Sequence, residues 1–223
     1  MINKRIKAVV FDVGGVITEW RKPMNDFFQQ YGLEEKDWLA PAMIDEPAGN
    51  RGEISMDEYC RRTMRRLGKP NDWKKVRQIF PGGFTLIEST IELLVELKPL
   101  IPLAMLTNAM RGSVQELDKK LNFKHYFQVI VDSSEVGMVK PEQEIFQYVC
   151  RQLNLEPNQC LFIDDEKPNI EMAEKLNAKR VALSIAILSA ILHTIGVLLL
   201  QAGLINYWQW AHFVNVQYTV GQF

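Results

Sequence analysis

The sequence predicts an α/β fold, a doubly wound parallel sheet carrying a small helical cap. Four short apolar runs recur along the chain, IKAVVFDV (6–13), LIPLAML (100–106), FQVIVDS (127–133) and CLFIDD (160–165). Stretches with apolar residues at helical spacing follow them, and strands alternating with helices build a parallel sheet. Between the first and second runs lies a long insertion, residues 19–84, whose pattern is helical throughout.

Each element has its own local justification. In the insertion, Met24, Phe27, Phe28 and Tyr31 form one apolar stripe. Ser55, with Glu58 three residues later, caps a helix bearing Met56, Tyr59, Cys60 and Met64. Asn71 is placed to cap a further helix with Val76, Ile79 and Phe80, which Pro81-Gly82-Gly83 ends. After the second run, Ser113 and Glu116 read as a capping box ahead of Val114, Leu117 and Leu121. Pro141 suits a first helical position before Ile145, Phe146, Val149 and Leu153, and Pro168 opens a helix carrying Ile170, Ala173 and Leu176 inward. KRVALS (179–184) supplies one more strand. The expected division is a core of residues 1–18 and 85–184, a cap of 19–84, and a separate tail, 185–223.

Composition narrows the function classes. With 223 residues, 47% hydrophobic and 24% charged, the chain supports a folded core and is not disordered. Its 26 Lys+Arg against 27 Asp+Glu give a net charge of -1, without the basic field that gathers nucleic acid, so no nucleic-acid partner is expected. Cys60, Cys150 and Cys160 make neither a disulfide framework nor a zinc-ligand spacing, which fits a reducing compartment. The N-terminal apolar stretch AVVF stops at Asp12, too short for a signal-peptide core, and a cytoplasmic catalytic domain is expected.

In doubly wound sheets ligands bind beyond the carboxyl ends of the strands. Those ends present Asp12, then Thr107 and Asn108, then Lys140, then Asp164 and Asp165. Singly, each is as readily an N-cap, a turn former or a solvated charge. Together, in this order, they resemble the four motifs of the haloacid dehalogenase superfamily, across residues 6 to about 180. FDVGGVI, VDSSEVGMVKPEQEIF and FIDDEKPNI are similar to the branch holding glucose-1-phosphate-type phosphatases and the phosphatase domains fused to epoxide hydrolases and acyl-CoA dehydrogenases. The insertion is similar to that branch's C1 cap. The resemblance implies a magnesium-dependent phosphohydrolase acting on a small phosphorylated substrate. Asp12 would be the nucleophile, and Thr107, Asn108 and Lys140 would hold the phosphoryl group. Asp12, the Gly14 carbonyl, Asp165 and Asp164 would hold the ion.

Elementary chemistry agrees with these roles. A phosphate dianion repels a carboxylate nucleophile, so a divalent cation and a lysine must offset the charge. Magnesium prefers carboxylate and carbonyl oxygens, and attack by Asp12 would give an aspartyl-phosphate that water hydrolyses. One departure stands out. The family's first motif is DxD, whose second Asp serves as general acid and base; here that position is Gly14. Such catalysis contributes roughly a hundred- to ten-thousand-fold, so good leaving groups suffer least from its loss. Glu19, water or a cap residue are the available substitutes, and Trp20, Arg21 and Arg51 are candidates for substrate selection. Two alternatives stand beside the phosphatase: a metal-free 2-haloacid dehalogenase, and a non-catalytic module that binds magnesium and ligand as a scaffold.

The tail needs a separate account, because residues 181–223 contain no Asp, Glu, Lys or Arg. Residues 185–205 form a 21-residue apolar stretch, about 32 Å as a helix against a hydrocarbon core of about 30 Å. Tyr207, Trp208 and Trp210 follow it, as interfacial aromatics do, and Lys167, Lys175, Lys179 and Arg180 precede it. The pattern describes a tail anchor holding a cytoplasmic domain. A buried helix, a helix packed on another subunit of an oligomer, and an altered C-terminus are the alternatives.

Overall fold

The computed structural model describes residues 6–182. The 185–205 anchor expectation lies outside the described residues, and among the described residues no helix is long and apolar enough to cross a membrane.

The chain begins with β1 (Ala8–Phe11) and a two-residue strand, β2 (Thr18–Glu19). Five helices follow: α1 (Arg21–Tyr31), α2 (Glu35–Ala42), α3 (Glu46–Asn50), α4 (Met56–Arg66) and α5 (Trp73–Ile79). After β3 (Thr85–Leu86) come α6 (Glu88–Leu97), β4 (Leu103–Thr107), α7 (Ser113–Leu121), β5 (Val129–Asp132), α8 (Ser133–Val136) and α9 (Gln143–Gln152). The described chain closes with β6 (Cys160–Asp164), α10 (Lys167–Lys175) and β7 (Lys179–Ala182).

Five strands form one parallel sheet in the order β5-β4-β1-β6-β7. All residues of β1, β4 and β6 are buried, which is why they read as continuous apolar runs rather than as alternating ones. Successive side chains point to opposite faces. Val9, Phe11, Leu103 and Met105 therefore meet Leu94 and Leu97 of α6 with Val114 and Leu117 of α7. Val10, Ala104, Leu106 and Phe162 meet Ile145, Phe146 and Val149 of α9 with Ala173 of α10. Helices thus cover both faces, as the sequence predicts.

The insertion has its own core, in which Met24, Phe27, Phe28, Trp38, Tyr59, Cys60 and Met64 pack together and take in Met110 from the loop after β4. It is not helical to its ends. Thr18 and Glu19 pair antiparallel with Leu86 and Thr85, so the chain leaves and re-enters the core through one short ribbon.

The capping expectations fare unevenly. Ser55 Oγ accepts the Glu58 backbone N–H at 3.2 Å, as predicted. The Ser113–Glu116 box does not form: Gly112 is the N-cap, and the Glu116 carboxylate is drawn to Arg77 of α5 at 2.7 Å instead. A short 3₁₀ turn, Pro70–Asp72, precedes α5, so Asn71 lies in the turn and not at the cap. Pro141 is not the first residue of a helix either, because α9 starts at Gln143. The preceding backbone is held in a loop that presents Lys140.

Candidate active site

Strand register aligns the carboxyl ends. Phe11 is level with Ile163, and the Asp12 backbone N–H reaches the Ile163 carbonyl at 2.9 Å, which sets Asp12 beside Asp164. Thr107 is level with Asp132 on the other side. Asp12 is 8% exposed, Thr107 4% and Asp164 5%. These side chains form a floor with little solvent exposure, and burying charge without a partner is costly.

The partner is Lys140. Its Nζ lies 2.8 Å from Asp12 Oδ1 and 2.6 Å from Asp164 Oδ2, with the lysine itself 5% exposed. The loop carrying it is clamped at the main chain: Asn108 Nδ2 donates to the Lys140 carbonyl at 2.9 Å, and the Lys140 N–H donates to Asn108 Oδ1 at 2.8 Å. Both ends of the Asn108 side chain are spent on this clamp. What Asn108 has left to offer a ligand is its backbone and the second Nδ2 proton.

Asp164 is similarly committed. Its Oδ1 accepts the Glu166 N–H and Asn169 Nδ2, each at 2.9 Å, while Oδ2 faces Lys140. Asn169 is 1% exposed and sits five residues along in the same motif; a polar residue facing inward from α10 was its only sequence signal, and the sequence reading missed it. Asp165 faces the cavity side, and its Oδ2 lies 3.3 Å from Arg21 Nη2. Gly15 makes that position available: its φ is +72°, and a Cβ there would fall 2.2 Å from Asp165 Oδ2.

Burial pushes the Asp12 carboxyl up to about 7, against the pull of Lys140. Asp165 is also raised, by burial and then by the negative charge of Asp164. Burial alone would lower Lys140, but Asp12 and Asp164 outweigh it and hold the ammonium above its ordinary value. The lysine is therefore the fixed positive charge of the site, and the aspartates supply the negative excess.

A cavity of about 660 Å³ opens above this floor, and Asp12, Gly14, Thr107, Asn108, Lys140 and Asp165 all line it. Trp20 and Arg21 line it too, with Arg21 Cζ 4.7 Å from the Trp20 ring centre. Glu19 is not among the lining residues. It adjoins Thr18, which does line the cavity, on a strand whose successive residues face opposite ways, and its carboxylate accepts the Arg21 N–H at 2.5 Å. Arg51 is likewise absent from the lining. It reaches the Gly137 carbonyl at 3.1 Å and pairs with Glu142, tying the insertion to the core. Glu46, which had no motif to mark it, lines the cavity from α3.

The haloacid dehalogenase-like hydrolase model matches residues 6–177. D-ribitol-5-phosphate phosphatase of Bacteroides thetaiotaomicron is 25% identical over 186 residues, covering 77% of this chain and 88% of that protein. Bifunctional epoxide hydrolase 2 of Sus scrofa is 26% identical over 191 residues, covering 72% of this chain and 33% of its own length. Among solved structures, a haloacid dehalogenase-family enzyme from Bacteroides thetaiotaomicron, in complex with magnesium and inorganic phosphate, aligns with TM-score 0.65 at 23% identity, over 80% of this chain and 94% of that one. L-2-haloacid dehalogenase from Xanthobacter autotrophicus shares the fold at 18% identity and TM-score 0.65, over 89% of this chain and 86% of its own. The strand-end motifs, the parallel sheet and the extent of these matches agree, and the chain belongs to the haloacid dehalogenase-like hydrolase family.

Proposed function

We propose that the protein is a magnesium-dependent phosphohydrolase that uses Asp12 as nucleophile on a small phosphorylated substrate, with the helical insertion, residues 19–84, acting as its cap. The observation that carries this is the Lys140 ammonium, buried between Asp12 and Asp164 beneath a cavity that Asp165 also lines.

The residues fit a hard divalent cation. Carboxylate oxygens of Asp12, Asp164 and Asp165 lie within 4.8 Å of one another. Three carboxylates face one buried lysine and one half-exposed arginine, an excess of negative charge. Because both Asp164 oxygens are already engaged, Asp12, Asp165 and the Gly14 carbonyl are the groups left to hold the ion, with Asp164 orienting Lys140 behind them. When bound, magnesium supplies charge neutralisation to the phosphoryl oxygens.

The chain's own groups do the rest. Lys140 and the Thr107 hydroxyl, with the Asn108 backbone, hold the phosphoryl oxygens, and Asp12 displaces the leaving oxygen to form an aspartyl-phosphate that water then hydrolyses. The cavity walls limit bulk water around the reacting centre. Gly14 has no proton to give, so esters with good leaving groups should turn over best. The dehalogenase alternative needs no third carboxylate facing the cavity, and Asp165 favours phosphoryl transfer over it. The test is phosphate release from acyl, aryl and sugar phosphates with and without magnesium. Metal-dependent release that Asp12→Asn abolishes supports the proposal; no release by a folded, magnesium-binding protein refutes catalysis and leaves the binding module.

A further inference from the structure

The 660 Å³ cavity is in the size range that encloses most of a drug-sized ligand, far more than a phosphoryl group. Its charged floor is accounted for above; its walls are not. Phe28, Trp38, Phe80 and Phe84 line it from the insertion side. They form a connected aromatic surface: Phe28 and Trp38 lie 6.3 Å apart, Trp38 and Phe80 stack at 6.1 Å with planes 9° apart, and Phe80 meets Phe84 edge-on at 5.5 Å. Several of the polar side chains nearby are paired with one another, while Arg21 Nη1 and Ser113 Oγ are buried without a hydrogen-bond partner. Arg21 is paired with Asp165, Glu46 with Asn50, and Glu166 with Asn169.

A second observation points the same way. Four large apolar residues are exposed among the described residues, and three of them, Leu39 (41%), Met43 (61%) and Ile44 (62%), fall within one turn and a half of α2 and its end. Leu39 and Met43 line the cavity as well, one helical turn apart on one face. Leu39 and Met43 thus carry the cavity's apolar lining to the outside of the protein.

We infer that the substrate is an amphiphilic phosphomonoester whose hydrocarbon chain lies along this aromatic wall and leaves past Leu39 and Met43. The inference deepens the phosphohydrolase reading and rests on it for the placement of the phosphoryl group over Asp12 and Lys140. It excludes compact polyol and sugar phosphates as the preferred substrates, because they would strand hydroxyl groups against apolar surface.

The test separates binding from turnover. Ethyl-, butyl- and octylphosphonate, which cannot be hydrolysed, are titrated calorimetrically into the full-length protein with magnesium. Affinity should rise by about fourfold per methylene while the chain remains on apolar surface. In the Met43→Asp variant, an exposed position whose folding is checked by circular dichroism, the octyl-to-ethyl affinity ratio should fall about tenfold or more. Octylphosphonate binding no tighter than ethylphosphonate, or more weakly than a polyhydroxylated phosphonate of equal length, overturns the inference. In parallel, 4-alkylphenyl phosphates hold the leaving group nearly constant while the chain lengthens. Turnover without chain-length dependence refutes the hydrocarbon site and keeps the phosphatase. Chain-length-dependent phosphonate binding with no turnover of any ester keeps the hydrocarbon site and refutes the phosphatase.

Discussion

Replacing Lys140 by methionine removes the ammonium and keeps most of the aliphatic stem. Asp12 and Asp164 would then face each other with only the backbone and Asn169 contacts of Asp164 left as compensation. All three side chains are at most 10% exposed, so water cannot replace the lost charge. Breaking a buried pair from one side costs roughly 3–5 kcal/mol. For a domain of this size that is a fall in melting temperature of about 6–20 °C. The loss has a pH signature. Without Lys140 the folded Asp12 carboxyl is raised still further above its unfolded value, so the variant gains stability as pH falls and the carboxyl takes up its proton. Its deficit against wild type should be largest near pH 8 and shrink towards pH 5.5. Urea unfolding followed by tryptophan fluorescence, in EDTA at both pH values, measures it. A second variant, Lys140→Met with Asp164→Asn, should recover part of the loss. A deficit under about 1 kcal/mol at pH 8, or one that does not shrink at pH 5.5, would refute the electrostatic account of the floor.

Other outcomes follow from the same geometry. Gly14→Asp should restore a general acid, because a Cβ there meets nothing closer than Trp20 Cδ1 at 3.8 Å; alkyl phosphate hydrolysis should rise roughly a hundred- to ten-thousand-fold relative to acyl phosphate hydrolysis, read from steady-state rates. Gly15→Ala combines a positive φ with a Cβ 2.2 Å from Asp165 Oδ2, so it should cost about 1–2 kcal/mol and sharply reduce the rise in melting temperature on adding magnesium. Metal-free Asp12→Asn should gain on wild type as pH rises from about 4 to 7: the folded Asp12 carboxyl sits above its unfolded value, so the stability it contributes in acid is lost across that window. Asp45, held by Arg66 and Arg62, has the opposite sign; its carboxyl is lowered, and the stability that Asp45→Ala removes should be present at pH 7 and fade as pH falls through the carboxylate range.

The core strands were legible because a strand buried on both faces carries no polar alternation, and β1, β4 and β6 read as unbroken apolar runs ended by Asp12, Thr107 and Asp164. Helix α6 was not legible. Its N-cap is Ile87, which offers no capping side chain, so it lacked a start signal despite Leu93, Leu94 and Leu97 on one face. The ribbon of β2 with β3 joins residues separated by the whole insertion, and two residues a side carry no periodicity. At the site, residue types at strand ends were enough to nominate the carboxylates and the lysine. The use of Asn108 as a clamp depends on a loop meeting a strand end, and the roles of Asn169 and Glu46 depend on packing between elements. Spacing along the chain records none of these.

The β2–β3 pairing has an architectural consequence. Both chain crossings of the insertion pass through one hydrogen-bonded doorway two residues wide, so its backbone joins the sheet at a single place, while Arg51 and Arg77 add side-chain ties to the core. Lengthening, shortening or exchanging that segment leaves the strand order and the register without a reason to change, provided Arg51 keeps its contacts with Gly137 and Glu142, which flank Lys140. The reacting groups and the groups that choose the substrate can therefore diverge at separate rates, and a new specificity can be acquired by rewriting α1 to α5 alone.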